Sequence, residues 1–147
     1  MNDNTTLTNG KTNNTFAVTA PIEGNTNQIR YSTTTDTTDL FNIVTGKSEN
    51  CKSLIGGAPI EVVAMAITGA NVHEVKDDED SPEVNKPVCH FLTADGKHYS
   101  SMSNGICRNA AALLEVGLTP TESTPIKIQF VTVETKKGTA YTFNLIK

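Results

Sequence analysis

The chain has 147 residues, of which 37% are hydrophobic and 19% charged, which predicts one folded domain with a modest core and a tail. Residues 1–83 carry five Lys and Arg against twelve Asp and Glu, whereas residues 84–147 carry seven against four. The net charge of −4 therefore does not exclude nucleic acid as a partner, because the C-terminal half is basic. The first residues lack a signal-peptide pattern and no run approaches the ~20 apolar residues of a membrane span, so we expect neither feature.

The N-terminal region is unusually polar, with twelve Thr and seven Asn in residues 1–38. Such a composition buries too little apolar surface to fold alone, so we predict a mostly disordered tail over 1–38 and a folded domain over 39–147. Two tail segments, TFAVTAPI at 15–22 and QIRYS at 28–32, have the composition of short strands. Either can add to the sheet edge of a neighbouring subunit, which predicts self-association through the tail. A passive, solvated tail is the alternative.

The segment DTTDLFNIV at 36–44 fits a short helix. Thr37 or Thr38 can cap its first turn, Asp39 favours the positive end of the helix dipole, and Gly46 can end it. An edge strand is the alternative, since short apolar runs are ambiguous.

Three strand segments follow, at 60–68, 71–76 and 88–93. Gly69 would allow the bend or bulge that a small barrel requires between the first two. The charged run KDDEDSPE at 76–83 predicts a solvated loop that repels phosphate. Asp95-Gly96 indicates a tight hairpin, because Gly accepts a positive φ and Asp tolerates it, and strand structure resumes around Tyr99.

A capped helix and two strands complete the chain. Ser103 or Asn104 can accept hydrogen bonds from the first helical N–H groups, and Gly117 fits the position just past the helix end. Residues of the apolar helix face recur at helical spacing: Ile106, Ala110, Leu113 and Leu114. Apolar residues then alternate with polar ones in two strands separated by a Lys137-Gly138 turn: Ile126, Ile128 and Phe130, then Tyr141, Phe143 and Leu145.

The order of these elements indicates an OB-fold. We predict an all-β fold with one helix, in which five strands form an OB-fold-like barrel and the helix lies between the third and fourth strands. This fold carries many proteins that bind single-stranded nucleic acid.

No catalytic or cofactor-binding motif is present, so we predict that the protein is not an enzyme and needs no cofactor. The three histidines are dispersed, and the carboxylates at 77–80 form a contiguous solvated run rather than an opposed pair. The cysteines have unrelated spacings, which predicts reduced, buried thiols: Cys51, Cys89 and Cys107. Cys89 and His90 do not predict a metal site, since adjacent strand residues point to opposite faces.

Several sequence blocks occur together in one order: LFNIVTG (40–46), CKSL (51–54), ADGKHYSSMS (94–103), the Ala-rich helix and the final turn and strand. In this order the chain resembles the single-stranded DNA-binding proteins of small protein-primed Bacillus-type phages, over residues 40–147. The resemblance implies a protein in the cytoplasm of the infected host that coats displaced strands during phage DNA replication. It also implies single-stranded DNA as the partner, together with phage replication proteins.

Tyrosines contact DNA in this family, and one of them matches Tyr99. The other family tyrosines fall at Thr68 and in the acidic loop, where this chain has no aromatic residue. Tyr141 and Phe91 fit core positions better, because both lie in alternating apolar patterns.

Sequence-tolerant binding also needs cations for the phosphates. Lys97 lies two residues before Tyr99, so its side chain is expected on the same strand face, because alternate residues of a strand point to the same side. Lys52 lies in the matched CKSL block, and three further lysines lie in the basic half on strands or turns that can border an OB-fold groove: Lys127, Lys136 and Lys137. A structural or adaptor protein, such as a virion or assembly component that binds protein through the barrel and tail, is the alternative function.

Overall fold

The computed structural model describes residues 28–75 and 77–147, and within these ranges seven strands form one sheet. The strands are β1 (Gln28–Ser32), β2 (Glu49–Asn50), β3 (Ile60–His73), β4 (Glu83–Thr93), β5 (His98–Ser101), β6 (Ile126–Thr135) and β7 (Gly138–Ile146). Two α-helices, α1 (Thr37–Val44) and α2 (Asn104–Glu115), and a short 3-10 helix (Cys51–Leu54) connect them. The order across the sheet is β2, β5, β4, β3, β6, β7, and β1 pairs with β3.

The long strand β3 makes the sheet curl. One edge of β3 pairs with β4 over nearly its whole length, while the other edge is shared between two strands. Its start, Ile60–Val62, pairs with β6, and the stretch 66–69 pairs with β1. The register against β4 shifts between Val62 and Ala64, a bulge that bends the strand where it passes from one partner to the other.

The inner face of the curled sheet carries the main core. Phe91, Phe130 and Phe143 meet edge to face, with ring centroids 5.5 to 5.8 Å apart, an arrangement that aromatic rings prefer. Helix α2 covers them with the apolar side predicted from its spacing: Ile106, Ala110 and Leu113 are buried. The predicted alternation of β6 is therefore confirmed at Ile128 and Phe130, both buried.

The outer face carries a smaller cluster under α1. Ile43 of α1 is fully buried against three buried residues of the sheet: Ala64, Ala66 and Leu92. Polar side chains extend this layer: Thr68 Oγ1 lies 2.9 Å from His90 Nε2, and His90 Nδ1 lies 2.9 Å from His98 Nε2. Helix α1 is the helix predicted at 36–44, and the Asp36 carboxylate caps it by accepting from the Asp39 N–H at 3.0 Å.

Helix α2 begins and ends near the predicted residues but is capped differently. Ser103 is the N-cap, yet its hydroxyl donates to the Tyr141 carbonyl at 3.3 Å instead of accepting from the helix. Gly117 has the predicted left-handed conformation, with φ of 82°. Gly96 likewise has φ of 84°, in the predicted turn between β4 and β5.

The predicted strand division at Gly69 is wrong. The segments 60–68 and 71–76 were expected to be separate strands, whereas Ile60–His73 is one continuous strand and its hairpin partner β4 begins at Glu83. Gly69 serves close packing, because a Cβ there would lie 2.5 Å from Asn85 Oδ1 and 2.9 Å from the Arg30 guanidinium. The predicted fold class named a single helix, between the third and fourth barrel strands, whereas the described residues contain two α-helices. The additional helix is α1, at the segment where a short helix or an edge strand was expected.

The strand-like segment 28–32 belongs to the sheet of its own chain. It was expected to add to a neighbouring subunit, but it pairs with β3, and Ser32 is fully buried. The next residue, Thr33, exchanges hydrogen bonds with Met65. The other strand-like segment, 15–22, lies outside the described residues. The domain boundary between residues 38 and 39 stays a prediction.

Candidate nucleic-acid interface

Tyr99 lies in the core. It is on β5 directly opposite Phe91 of β4, and only 6% of it is exposed. The exposed rim lines a shallow cavity of about 290 Å³, next to Glu61 and Asp95. A ring held in this way presents no free face on which a base can stack. The burial favours the core interpretation of Tyr99, and its contact with DNA stays a prediction.

Lys97 extends from the end of the β4–β5 turn into solvent. Its backbone N–H donates to Thr93 Oγ1 at 3.0 Å, while the Thr93 hydroxyl also donates to the Asp95 carboxylate. The hydrogen bond that the Asp95 carboxylate accepts from the Thr93 hydroxyl holds the pKa of Asp95 below its usual value, and the positive charge of Lys97 adds to this effect. Lys97 also lines a groove of about 460 Å³ with Asp39 and Glu122, so its positive charge shares the groove with two carboxylates.

Lys52, which is exposed, and Tyr141, which is half-buried, form a cation–π pair. Lys52 lies in the 3-10 helix Cys51–Leu54, which Asn50 caps by accepting from the Lys52 N–H at 2.9 Å. The Lys52 ammonium lies 5.1 Å from the centre of the Tyr141 ring on β7. The Tyr141 backbone is fixed through its carbonyl, which accepts from Ser103 at the start of α2.

Tyr141 was predicted to be a core residue, and it is only half-buried. Its strand β7 lies at the end of the sheet, so only Phe143 of the three alternating apolar residues reaches the core. Leu145 is 47% exposed. Alternation alone therefore overstated the burial of this strand, and the aromatic pair with Lys52 was missed because the two residues are far apart in the sequence.

Lys136 and Lys137 form the turn of the β6–β7 hairpin, at the opposite end of the sheet from the acidic loop. Strand β6 starts opposite Val62 and passes Ile60, so it continues beyond the beginning of β3. The acidic run 77–80 instead follows the other end of β3. The antiparallel register thus separates the basic turn from the acidic run 77–80, although the hairpin carries one carboxylate of its own, Glu134, which accepts from Thr139 Oγ1 at 2.9 Å. Tyr141 lies on the same hairpin, opposite Thr132.

Lys127 is exposed on β6, directly opposite Glu61 of β3. The Glu61 carboxylate offsets its charge, which makes Lys127 a weaker phosphate site than the hairpin turn. Of the predicted residues, the structure therefore brings Lys52, Lys136 and Lys137 to the hairpin side around Tyr141.

A second exposed aromatic–lysine pair lies on the outer face. Phe41 of α1 is 57% exposed, and the Lys47 ammonium lies 5.5 Å from its ring centre. Neither Phe41 nor Lys47 was predicted from the sequence as a site residue. A neighbouring groove beside α1 is lined by carboxylates without a cation among its lining residues: Asp36, Asp39 and Glu122. That groove repels phosphate, so the outer pair is a poorer candidate than the hairpin side.

Among residues 28–75 and 77–147, no group of three or more His, Cys, Asp or Glu side chains is placed to hold a metal ion. In the same ranges, every helix is too short or too polar to cross a membrane.

A partly exposed aromatic ring, a cation above it and a basic turn on the same hairpin are the elements of a protein that binds single-stranded nucleic acid. A family model described as phage single-stranded DNA-binding protein, of the Phi29 type, matches residues 23–145, so the chain belongs to this family of phage proteins. Comparison with curated proteins gave no match, and comparison with solved structures gave none. Membership confirms the predicted family and the general function of single-stranded DNA binding, and it does not favour a virion or adaptor role.

Proposed function

We propose that the protein coats single strands displaced during phage DNA replication, without sequence preference and without catalysing a reaction. The observation that carries the proposal is the Lys52–Tyr141 pair beside the basic hairpin turn, in a chain of the single-stranded DNA-binding family. An aromatic ring accepts any base by stacking, and lysine contacts the phosphate without reading sequence. Both contacts suit coating better than recognition of one site.

We propose that DNA follows the β6–β7 hairpin. The Lys52 ammonium moves from the ring of Tyr141 to a phosphate, and a base stacks on the ring face that it leaves. The turn lysines Lys136 and Lys137 bind further phosphates, and Lys97 and Lys127 act at the margin. Tyr99 contributes by packing inside the sheet. Because it matches a tyrosine that contacts DNA in the family, we also expect its exposed rim to touch DNA.

The strands β3 to β7, with α2 between β5 and β6, have the chain order of an OB-fold, and we propose that they are its five strands. The described residues contain no ladder between β5 and β7 that would close such a barrel. The 3-10 helix contacts both β5 and β6, and α2 contacts both β4 and β7, so these segments cover the gap. The DNA would then lie beside the gap, at the hairpin.

The direct test is a titration of the full chain with oligo(dT) and with duplex DNA of matched length, followed by tyrosine fluorescence because the chain has no Trp. We expect a strong preference for the single strand and a log–log salt slope of about −0.7 per phosphate contacted. Equal affinity for the two forms would overturn the proposal. A second titration, with oligonucleotides of different base composition, is expected to show similar affinities.

We also propose that the chain acts in the cytoplasm of the infected host alongside phage replication proteins, and that residues preceding β1 support self-association on the strand. Contacts between neighbours raise the local concentration of protein along one DNA molecule. Binding isotherms on long poly(dT) test this point, because neighbour contacts make them steeper than isotherms on a short oligonucleotide.

A further inference from the structure

Two cysteines meet where helix α2 packs on the sheet. The Cys107 Sγ of α2 lies 3.5 Å from the Cys89 Sγ of β4. Both sulfur atoms also lie close to the Ser101 carbonyl oxygen, at 3.4 Å and 3.5 Å respectively. Cys89 is fully buried, whereas Cys107 is partly exposed, so only one member of the pair is accessible to a reagent.

The surroundings make the two thiols unequal. When Cys107 is deprotonated, the Cys89 thiol can donate a hydrogen bond to it, which lowers the pKa of Cys107. The same contact and the burial of Cys89 raise the pKa of Cys89 above its usual value. Since the thiolate is the reactive form, Cys107 is the nucleophile of the pair.

The third cysteine, Cys51, serves as a comparison for the reactivity of this pair. Cys51 belongs to the same core cluster and is fully buried. Burial raises its pKa to about 12, so it remains a thiol at neutral pH.

We propose that Cys107 and Cys89 are a redox-active thiol pair that forms a reversible disulfide between α2 and β4, with a small disulfide such as oxidised glutathione as the oxidant. A disulfide bond is ~2.05 Å long, so the two sulfur atoms must approach by roughly 1.5 Å for the bond to form. The proposal is independent of DNA binding.

The reaction is a pair of exchange steps. The Cys107 thiolate attacks one sulfur of oxidised glutathione, forming a mixed disulfide and releasing one glutathione thiolate. The Cys89 thiol then attacks the Cys107 sulfur while its proton passes to the leaving glutathione sulfur, which forms the internal bond and releases the second glutathione as a thiol. The two protein thiols are oxidised by two electrons, and the glutathione disulfide is reduced to two thiols.

The bond would join α2 to the sheet on the side away from its contacts with β7. Asn109 of α2 donates to Thr142 Oγ1 at 2.7 Å and to the Phe143 carbonyl at 2.8 Å. On the β4 side the Cys107 sulfur makes weak noncovalent contacts, the longest to the Pro87 carbonyl at 3.8 Å. Oxidation would therefore brace the less tightly bonded side of the helix.

The test uses the full-length protein and three single variants, Cys51→Ser, Cys89→Ser and Cys107→Ser. Each is incubated with oxidised glutathione, quenched by alkylation and mapped by mass spectrometry without reduction. Wild type and Cys51→Ser are expected to yield a peptide pair linked through residues 89 and 107. Cys89→Ser is expected to stop at a glutathione adduct on Cys107, and Cys107→Ser to remain unmodified.

Thermal unfolding provides a second measurement. Oxidised wild type is expected to have a Tm higher than the reduced form by roughly 5–10 °C, the effect of closing a loop of this length in a chain of this size. Alkylation of folded, reduced wild type, which needs no variant to fold, should label Cys107 before the other two cysteines. A link involving Cys51, no link in wild type, or first labelling at Cys51 or Cys89 would each overturn the proposal.

Discussion

The two faces of the sheet are built in different ways. The inner face holds three mutually contacting phenylalanines under α2, which form an apolar layer of large side chains. The outer face holds small residues under α1 and then a buried polar row formed by Thr68, His90 and His98. The inner face therefore supplies most of the hydrophobic stabilisation, while the outer face introduces ionisable groups whose protonation can work against folding.

The largest expected effect is on the inner face. Phe91→Ala removes a ring packed against Phe130 and Phe143, so we expect the free energy of unfolding to fall by roughly 3–5 kcal/mol. Urea unfolding measures it. Phe41→Ala is the matched control, because Phe41 is exposed on α1 and its removal should change stability by about 0.5 kcal/mol or less. Similar decreases in the two variants would contradict the assignment of the main core to the inner face.

The outer face predicts a loss of stability in acid. Burial lowers the pKa of His90 to about 3, with a contribution from the charge of His98, and burial also lowers the pKa of His98. A histidine whose pKa is lower in the folded state is neutral there, so its contribution is present above the unfolded pKa near 6.5. It is lost as the pH falls towards 3, with a slope of up to about 1.4 kcal/mol per pH unit for each histidine.

Unfolding free energies of wild type and His90→Gln between pH 7 and pH 4 check this expectation. The carboxylates titrate equally in both proteins, so the difference between the two curves isolates His90. The difference should shrink or reverse as the pH falls, because only the wild type must take up a proton at residue 90 on unfolding. Parallel curves would show that His90 is not held neutral in the folded protein.

The contrast between the faces also explains what the sequence could predict. Strict alternation at Ile128 and Phe130 and helical spacing at Ile106 and Ala110 identified the inner face, since both periods report burial on one side. The outer row was missed, because His90 and His98 were treated as dispersed residues. Their contact depends on the register between β4 and β5, which no local pattern contains.

The candidate site was predicted only in part for the same reason. The lysines Lys52, Lys136 and Lys137 were selected from a matched block and from charge distribution. Their aromatic partner Tyr141 was assigned to the core, because alternation does not reveal that β7 ends the sheet. Tyr99 was selected by family position, and pairing with Phe91 buries it.

The next prediction decides which of two aromatic rings binds DNA, the half-buried Tyr141 or the exposed Phe41. Tyr141→Ala is expected to weaken oligo(dT) binding by ~1–3 kcal/mol, the contribution of one stacked base. Phe41→Ala is the matched control, since Phe41 also carries a lysine above its ring but lies on α1, where Asp36 and Asp39 line an acidic groove. Fluorescence or anisotropy titrations at fixed salt measure both. A greater decrease in affinity for Phe41→Ala would move the interface to the outer face.

A smaller effect is expected at the basic turn. Replacing Lys136 and Lys137 with Gln should weaken binding and reduce the magnitude of the log–log salt slope by about 0.7 for each phosphate that the variant no longer binds. Lys86→Gln is the control, because Lys86 is exposed on β4 opposite Ala70, towards the acidic-loop end of the sheet. An equal change of slope in the control would argue against a path along the β6–β7 hairpin.

The smallest effect on stability is expected from removing residues 1–27. Residues 1–27 are rich in Thr and Asn, a composition that buries little apolar surface, and the deletion keeps β1 and every element after it, so the Tm should be nearly unchanged. Removing residues 1–38 is the informative comparison. It also takes away β1, the buried Ser32 and the Asp36 cap of α1, so the outer face loses part of its support and the Tm should fall by several degrees.

If residues preceding β1 mediate self-association, the deletion of residues 1–27 should still reduce the sedimentation coefficient of the protein on oligo(dT). If the protein lacking residues 1–27 has the same lowered Tm as the protein lacking residues 1–38, residues 1–27 contribute to the stability of the fold. Unchanged sedimentation and binding cooperativity would leave residues 1–27 without a role in assembly.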